Sequence, residues 1–349
     1  MTNEQLSNIS IDKPDFSNGI YNSLTKKGYN QNLDNTIAVM LGHAIGDAMG
    51  VPVEFMSRRE LAENPIKGYR GYGTHNVPAG TWSDDTSMAL ATLDSLAHGL
   101  DYTDMMRRFC DWKTNAAYTV TNEVFDMGIT TNNSLCKFLH GASPLDCGGN
   151  DEHDNGNGSL MRIIPAVLYC NCIYLDTTID ERMQIIHNVS ALTHAHLRSK
   201  IGCGIYAIVM SHLLASKSKG SIQDGLVKAK SYYEERPKFT DELKHYSRLF
   251  TSEFAGLPEI EINSTGYVVA TLEAAVWCVL NTESYADCVL KAVNLGKDTD
   301  TVAAVAGGLA AAIYGLQGIP QEWIDGLLRK EMIVELCENF VNYQNSLPL

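Results

Sequence analysis

From residue 36 onward, the apolar positions of this chain recur at helical spacing. In TIAVMLGHAIGDAMG (36–50), Ile37, Met40, Leu41, Ala44 and Ala48 fall on one stripe, the period of an amphipathic helix. SMALATLDSLAHGL (87–100) repeats the pattern with Leu90, Leu93, Ala97 and Leu100. TGYVVATLEAAVWCVL (265–280) does so with Val268, Leu272, Ala275, Val276 and Val279. VAAVAGGLAAAIYGL (302–316) adds Val302, Val305, Leu309, Ile313 and Leu316. Alternating runs of β-branched residues are scarce, so no sheet is expected. Gly42, Gly46 and Gly50 stand four apart and leave one face of the first helix almost bare. Gly307, Gly308 and their alanine neighbours do the same for the last of these helices, which predicts close helix–helix approach. Segment 217–250 reads as more solvated helices joined near Pro237. The pattern predicts an all-α protein with one compact helical domain over 36–349. Residues 1–35 are polar and weakly periodic. They are expected to be a loose terminus or an arm that docks on a partner or on the body of the protein, with Ile20, Tyr21, Leu24 and Tyr29 as anchors.

Composition narrows the functions without changing the fold. The chain has 349 residues, 45% hydrophobic and 19% charged, with a net charge of −14. An acidic surface argues against general binding to nucleic acid or anionic membranes, which depends on neutralising phosphates. It leaves room for a small anionic ligand held by metal ions or backbone N–H groups. The nine cysteines are odd in number, irregularly spaced and without a CxxC pair. They read as buried thiols of a reducing compartment, the cytoplasm. The N-terminus lacks the basic-then-apolar pattern of a signal peptide. The 302–316 run is shorter than the roughly 20 residues a membrane span needs.

The chemistry lies in polar clusters at the mouths of the apolar helices. GTWSDDTSMAL (80–90) sets Asp84 and Asp85 side by side after Ser83. Taken alone, this is a capped helix start with acids in the first turn. NLGKDTDTVAAVAGG (294–308) repeats the arrangement with Asp298, Thr299, Asp300 and Thr301. Asp298 and Asp300 are two residues apart and converge only where the chain turns, as at a helix start. Two carboxylate–hydroxyl clusters make a hard oxygen cage suited to Mg²⁺ or Mn²⁺. Four buried carboxylates with no cation would repel one another. In GHAIGDAMGVPVEF (42–55), Asp47 reads as a solvated or capping acid, and Glu54 as a carboxylate in a partly apolar setting. NGNGSLMRIIPA (155–166) is a turn before a helix, able to offer N–H groups to an anion. LTHAH (192–196) places His194 and His196 two apart, which is not the spacing of a zinc-binding helix.

Taken in order, GHAIGDAMGVPVEF, AGTWSDDTSMAL, NGNGSLMRIIP, LTHAH and GKDTDTVAAVAGG resemble the ADP-ribosylglycohydrolases over about residues 34–330. The SDDT and DTDT pair is the specific part. The resemblance implies a compact helical domain with a binuclear Mg²⁺ or Mn²⁺ cleft. It implies metal ligation by Ser83, Asp84, Asp85, Asp298, Asp300 and Thr301. Phosphate binding would fall to Gly156, Asn157, Gly158 and Ser159, with His194 beside the ligand. Asp85 or Glu54 would be the base. Ser83 stands where many members have Thr, and Lys297 where members have Gly. Lys297 is expected either to contact an anionic substrate or to point to solvent.

The implied reaction is hydrolysis of the N-glycosidic bond between ADP-ribose and a protein side chain, with a lean to arginine. The implied partner is an ADP-ribosylated protein, with no nucleic acid and no membrane. An alternative is an immunity protein, in which residues 1–35 block an ADP-ribosyltransferase toxin with or without hydrolysis. A metal-dependent phosphohydrolase is a third reading.

Overall fold

The computed structural model describes residues 31–173 and 177–347, and among them there is helix and loop but no strand. The helices that build the body are α1 (Gln31–Gly50), α2 (Asp84–Leu96), α3 (Tyr102–Asn115), α4 (Ile129–Leu139), α5 (Ile164–Ile173), α6 (Ile179–Ala191), α7 (Leu197–Ser216), α8 (Ser221–Glu234), α9 (Val268–Leu280), α10 (Tyr285–Asn294), α11 (Thr299–Tyr314) and α12 (Lys330–Ser346). α1 begins ahead of the residue-36 boundary drawn from the sequence. The proposed arm therefore lies outside the described residues as far as residue 30, and its last five residues are helix.

α1 and α11 form the central pair. Every residue of α1 from Thr36 to Gly50 is buried, and so is α11 from Thr299 to Ala312. A helix that is apolar all round must sit inside, and the glycine stripe sets how closely these two approach. A side chain on Gly42 would begin 2.4 Å from Ala311 Cβ, and one on Gly46 would begin 2.1 Å from Ala303 O. One on Gly50 would begin 2.3 Å from Asp300 Cα. The bare face is therefore filled by the backbone of α11. Gln31–Val53 and Leu197–Ser216 are both long and apolar enough to cross a membrane by composition, but their apolar windows are 100% and 67% buried within the protein. Cys110, Cys136, Cys147, Cys170, Cys203, Cys278, Cys288 and Cys337 are free thiols, and all of these but Cys136 are buried.

The 217–250 segment is less solvated than its sequence implies. α8 buries Ile222, Leu226, Ala229, Tyr232 and Tyr233. Past Pro237 the chain is mostly 3₁₀ rather than α, over Lys244–Phe250. Leu243, Tyr246 and Leu249 are all buried. Their spacing of three suits a helix with three residues per turn, and Tyr246 Oη fixes it by donating to Arg198 O at 2.8 Å.

His187, on α6, belongs to this layer. Its ring packs against Phe239, and its Nε2 lies 2.9 Å from Tyr233 Oη. Burial, with Lys200 and Lys238 nearby, lowers its pKa from 6.5 to about 3. The neutral ring contributes stability that is intact above the unfolded value and is lost as pH falls from 6.5 toward 3. Glutamine can keep the bond to Tyr233 without titrating. The stability advantage of wild type over His187→Gln should shrink by about 1.4 kcal/mol per pH unit below about 6. Urea unfolding at three pH values between neutral and mildly acidic measures this, and parallel curves would refute it.

Candidate active site

Two arms of chain, far apart in sequence, meet at the α1–α11 end of the body. Asp47 is fully buried one turn before the end of α1. Its carboxylate accepts from Ser83 N at 2.9 Å, Thr86 N at 3.0 Å and Thr86 Oγ1 at 2.6 Å. It is thus a cap, as the sequence allows, but for α2 rather than its own helix, and it is not solvated. Ser83 is the N-cap of α2, its Oγ accepting from Asp85 N at 3.3 Å. This places Asp84 and Asp85 in the first turn, 5% and 1% exposed.

The second arm turns at Gly296 (φ +78°) and Lys297 (φ +67°), then enters α11. Thr301 Oγ1 donates to Asp85 Oδ1 at 3.2 Å, across 216 positions of sequence. Oxygens of Asp47, Asp85 and Asp300 lie within 4.8 Å of one another, and so do those of Glu54, Asp298 and Asp300. Asp85 Oδ2, Asp298 Oδ1 and Asp300 Oδ2 are buried with no hydrogen-bond partner. Burial and the repulsion of their acidic neighbours hold Asp84, Asp85 and Asp300 well above the usual carboxylate range. Orphaned, converging carboxylate oxygens with a hydroxyl between them fit a hard divalent cation.

Asp84, Asp85, Asp298 and Thr301 line a cleft of about 250 Å³ together with Glu54, Asp126, Gly156, Gly158 and His194, and Asp47 and Asp300 lie behind them. Glu54 follows the 3₁₀ turn Val51–Val53 and is 5% exposed. Its Oε2 lies 2.5 Å from His75 Nε2. Burial first, then the charges of Asp126 and Asp298, raise its pKa to about 7, against the pull of His75. Two backbone hydrogen bonds, Phe55 N to Lys297 O and Lys297 N to Met56 O, both 2.6 Å, tie the Glu54 arm to the Asp298 arm. Lys297 Nζ itself donates to Asn263 Oδ1 at 3.1 Å and does not line the cleft.

The glycine loop forms the facing wall. Gly156 and Gly158 pass close to the His194 ring: a side chain on Gly158 would begin 2.7 Å from His194 Cε1. Asn157 anchors the site, its Nδ2 donating to Asp298 Oδ2 and Thr271 Oγ1, both at 2.9 Å. Ser159 is fully buried, and its hydroxyl meets Ser190 and Cys203 rather than the cleft. His196 caps α7 instead, accepting from Arg198 N.

The match with known proteins follows this layout. The sequence profile described as ADP-ribosylglycohydrolase matches residues 29–347. The chain belongs to the ADP-ribosylglycohydrolase family. It is 34% identical over 312 residues to ADP-ribosylarginine hydrolase Tri1 of Serratia proteamaculans, covering 88% of this chain and 79% of that one. It is 29% identical to the ADP-ribosyl-[dinitrogen reductase] glycohydrolase of Rhodospirillum rubrum, covering 84% and 90%. A solved structure titled ADP-ribosylglycohydrolase-related protein complex aligns with a TM-score of 0.73 at 27% identity, over 90% of this chain and 99% of that one.

Two residues of this family member's site escaped the sequence reading. Asp126 sits in a loop at φ +57°, within 4.8 Å of Glu54 and His75 when their ligand atoms are compared. Burial raises its pKa, with His75 acting in the opposite sense. His75 stacks on Phe125, ring centroids 5.0 Å apart. Neither residue carries a helical period or a recognisable motif, so the sequence holds no signal for them.

Proposed function

We propose that this protein hydrolyses the N-glycosidic bond joining ADP-ribose to arginine on modified proteins, using two Mg²⁺ or Mn²⁺ ions. The observation that carries the reading is the junction of Thr301 with Asp85, which gathers orphaned carboxylate oxygens beside the glycine loop. The name of the Serratia relative, an ADP-ribosylarginine hydrolase, supports the arginine linkage. With Asp47 fixing the start of α2 through Ser83 N and Thr86, Ser83, Asp84, Asp85, Asp298, Asp300 and Thr301 would hold the cations. When bound, they supply positive charge that orients ribose hydroxyls and favours a deprotonated water.

The chain's own groups divide the remaining work. Both candidate bases belong to the acidic cluster; Asp85 accepts from Thr301, and Glu54, held by His75, would be the base. Glu54 borders the cleft and its Oε2 is fixed by His75, the placement a general base needs. The water oxygen bonds to ribose C1″ as the C1″–guanidine bond breaks through an oxocarbenium-like state. Glu54 takes the water proton. Asp126, biased toward its protonated form by burial, gives one to the departing guanidine nitrogen. The products are ADP-ribose and unmodified arginine. The glycine loop would lie beside the diphosphate, although the Asn157 N–H is taken by Gly266 O at 2.9 Å.

The test is release of ADP-ribose from an ADP-ribosylarginine protein in the presence of Mg²⁺ or Mn²⁺. Glu54→Gln should cut kcat by about 10²–10⁴-fold with KM little changed. Wild type that cleaves phosphoesters and leaves the glycosidic bond intact would overturn the assignment. The toxin-blocking alternative falls chiefly on residues 1–30, outside the described residues, and nothing in the described residues favours it over hydrolysis.

A further inference from the structure

Arg162 is a fully buried cation without a counter-ion. It is 0% exposed and lies one turn beyond the glycine loop. Among the described residues no carboxylate pairs with it. Its Nη2 donates to Val189 O at 3.1 Å and to Thr193 Oγ1 at 2.7 Å, while Nε and Nη1 have no partner. Its guanidinium carbon stands 4.6 Å from the centre of the Phe109 ring. An unpaired buried charge is strongly unfavourable, and packing alone would be better served by an apolar residue. Its side-chain hydrogen-bond partner is the equally buried Thr193, and Thr193 Oγ1 in turn lies 2.9 Å from His194 Nδ1.

We propose that Arg162, acting through Thr193, is a positioning residue that fixes His194 as a neutral imidazole whose Nε2–H donates to an oxygen of the ligand's diphosphate. The proposal rests on the functional reading above for the identity of that ligand. The direction of the chain follows from counting protons. Arg162 can only donate, so Thr193 Oγ1 accepts from it. The hydroxyl could accept a second time, but its own proton would then lack a partner; the arrangement that satisfies every proton has Thr193 donating to Nδ1 at 2.9 Å. A neutral imidazole that accepts at Nδ1 carries its proton on Nε2. Burial and the neighbouring Arg162 charge lower the His194 pKa to about 3, which keeps the ring neutral. Nε2 lies on the cleft side, 3.6 Å from where a side chain on Gly156 would begin. The backbone of His194 is independently fixed by His194 N to Ser190 O at 2.8 Å and Ala195 N to Gly149 O at 2.7 Å. The relay therefore sets the donor while other bonds set the ring's place.

The test uses Thr193→Val, which deletes the hydroxyl at nearly constant shape, and Thr193→Ser, which keeps it. Long-range ¹H–¹⁵N spectra of the histidines, with His194 assigned by loss of its signals in His194→Gln, report the tautomer. Calorimetric titration with ADP-ribose, in the presence of Mg²⁺, reports affinity. Wild type and the serine variant should show Nδ1 unprotonated and Nε2 protonated. The valine variant should lose that pattern, bind ADP-ribose about tenfold more weakly and unfold at a lower temperature, because the buried Arg162 loses an acceptor, while the serine variant should keep all three properties. Wild type with the proton on Nδ1, valine and serine variants weakened alike, or a valine variant that binds as wild type does would each overturn the proposal. Wild type that holds the Nε2 proton but binds no ADP-ribose would instead sink the functional reading and leave the relay in place.

Discussion

Asp300→Asn is expected to cut hydrolysis on the order of 10³-fold while making the cation-free protein harder to unfold. Asp300 belongs to both acidic triads, with Asp47 and Asp85 on one side and Glu54 and Asp298 on the other. It is fully buried, its Oδ1 accepts from Thr301 N at 3.0 Å, and its Oδ2 has no partner. Asparagine keeps the accepting oxygen and replaces the orphan with a donor aimed among carboxylates. Without a cation, this removes like-charge repulsion at the crowded point, a gain of about 1–2 kcal/mol. With a cation, it removes a ligand oxygen shared by both groups, and activity should fall on the order of 10³-fold. Thermal unfolding with EDTA and with Mn²⁺ reads both effects. The wild-type melting temperature should rise with metal, and that of the variant should start higher and respond weakly. A variant that starts lower and keeps the metal-dependent rise would show that these acids do not form the cation site.

Gly50→Ala should damage fold and chemistry together. The backbone at Gly50 is ordinary right-handed helix, φ −82° and ψ −38°, so alanine meets no conformational barrier. The obstacle is space. A Cβ would stand 2.3 Å from both Asp300 N and Asp300 Cα, and 2.4 Å from Thr299 C. Backbone cannot give way as a side-chain tip can, so the end of α1 must separate from the start of α11. The expected cost is about 3 kcal/mol. Asp47 and Asp300 sit on the two separating elements, and an ångström of misplacement is worth on the order of 10²-fold in rate. Gly68→Ala is the control: nothing lies within 4 Å of its added carbon, and stability should move by less than about 0.5 kcal/mol. Equal unfolding midpoints for the two variants would refute the close-approach argument.

How far the sequence reads into this structure depends on whether a residue belongs to a period. The central helices announce themselves through apolar stripes, and the glycines four apart correctly indicate close packing. The SDDT and DTDT stretches are legible because each combines a helix start with more acid than capping requires. Residues held by tertiary contact leave no such trace. Asn157 reads as a phosphate-loop residue, yet its amide reaches Asp298, 141 positions away. Asp47 caps a helix that starts only at Asp84, far along the chain. Asp126 and His75 lie in loops with left-handed turns at Tyr118, Asn122, Asp126, Tyr72 and Asn76, where the chain path follows no repeat. The 3₁₀ stretch at 244–250 was legible in principle, since Leu243, Tyr246 and Leu249 are three apart.

The bond between Thr301 and Asp85 has a consequence for the order in which the protein is made. A nascent chain that has emerged only as far as α10 already carries Asp47, Asp84 and Asp85, but it lacks Asp298, Asp300 and Thr301, which complete their cage. Such a fragment exposes the apolar flank of α1 where α11 belongs. Capture of the proposed cation would therefore wait until the ribosome has delivered most of the polypeptide, and the ion would act as a late fastener between its early and late segments.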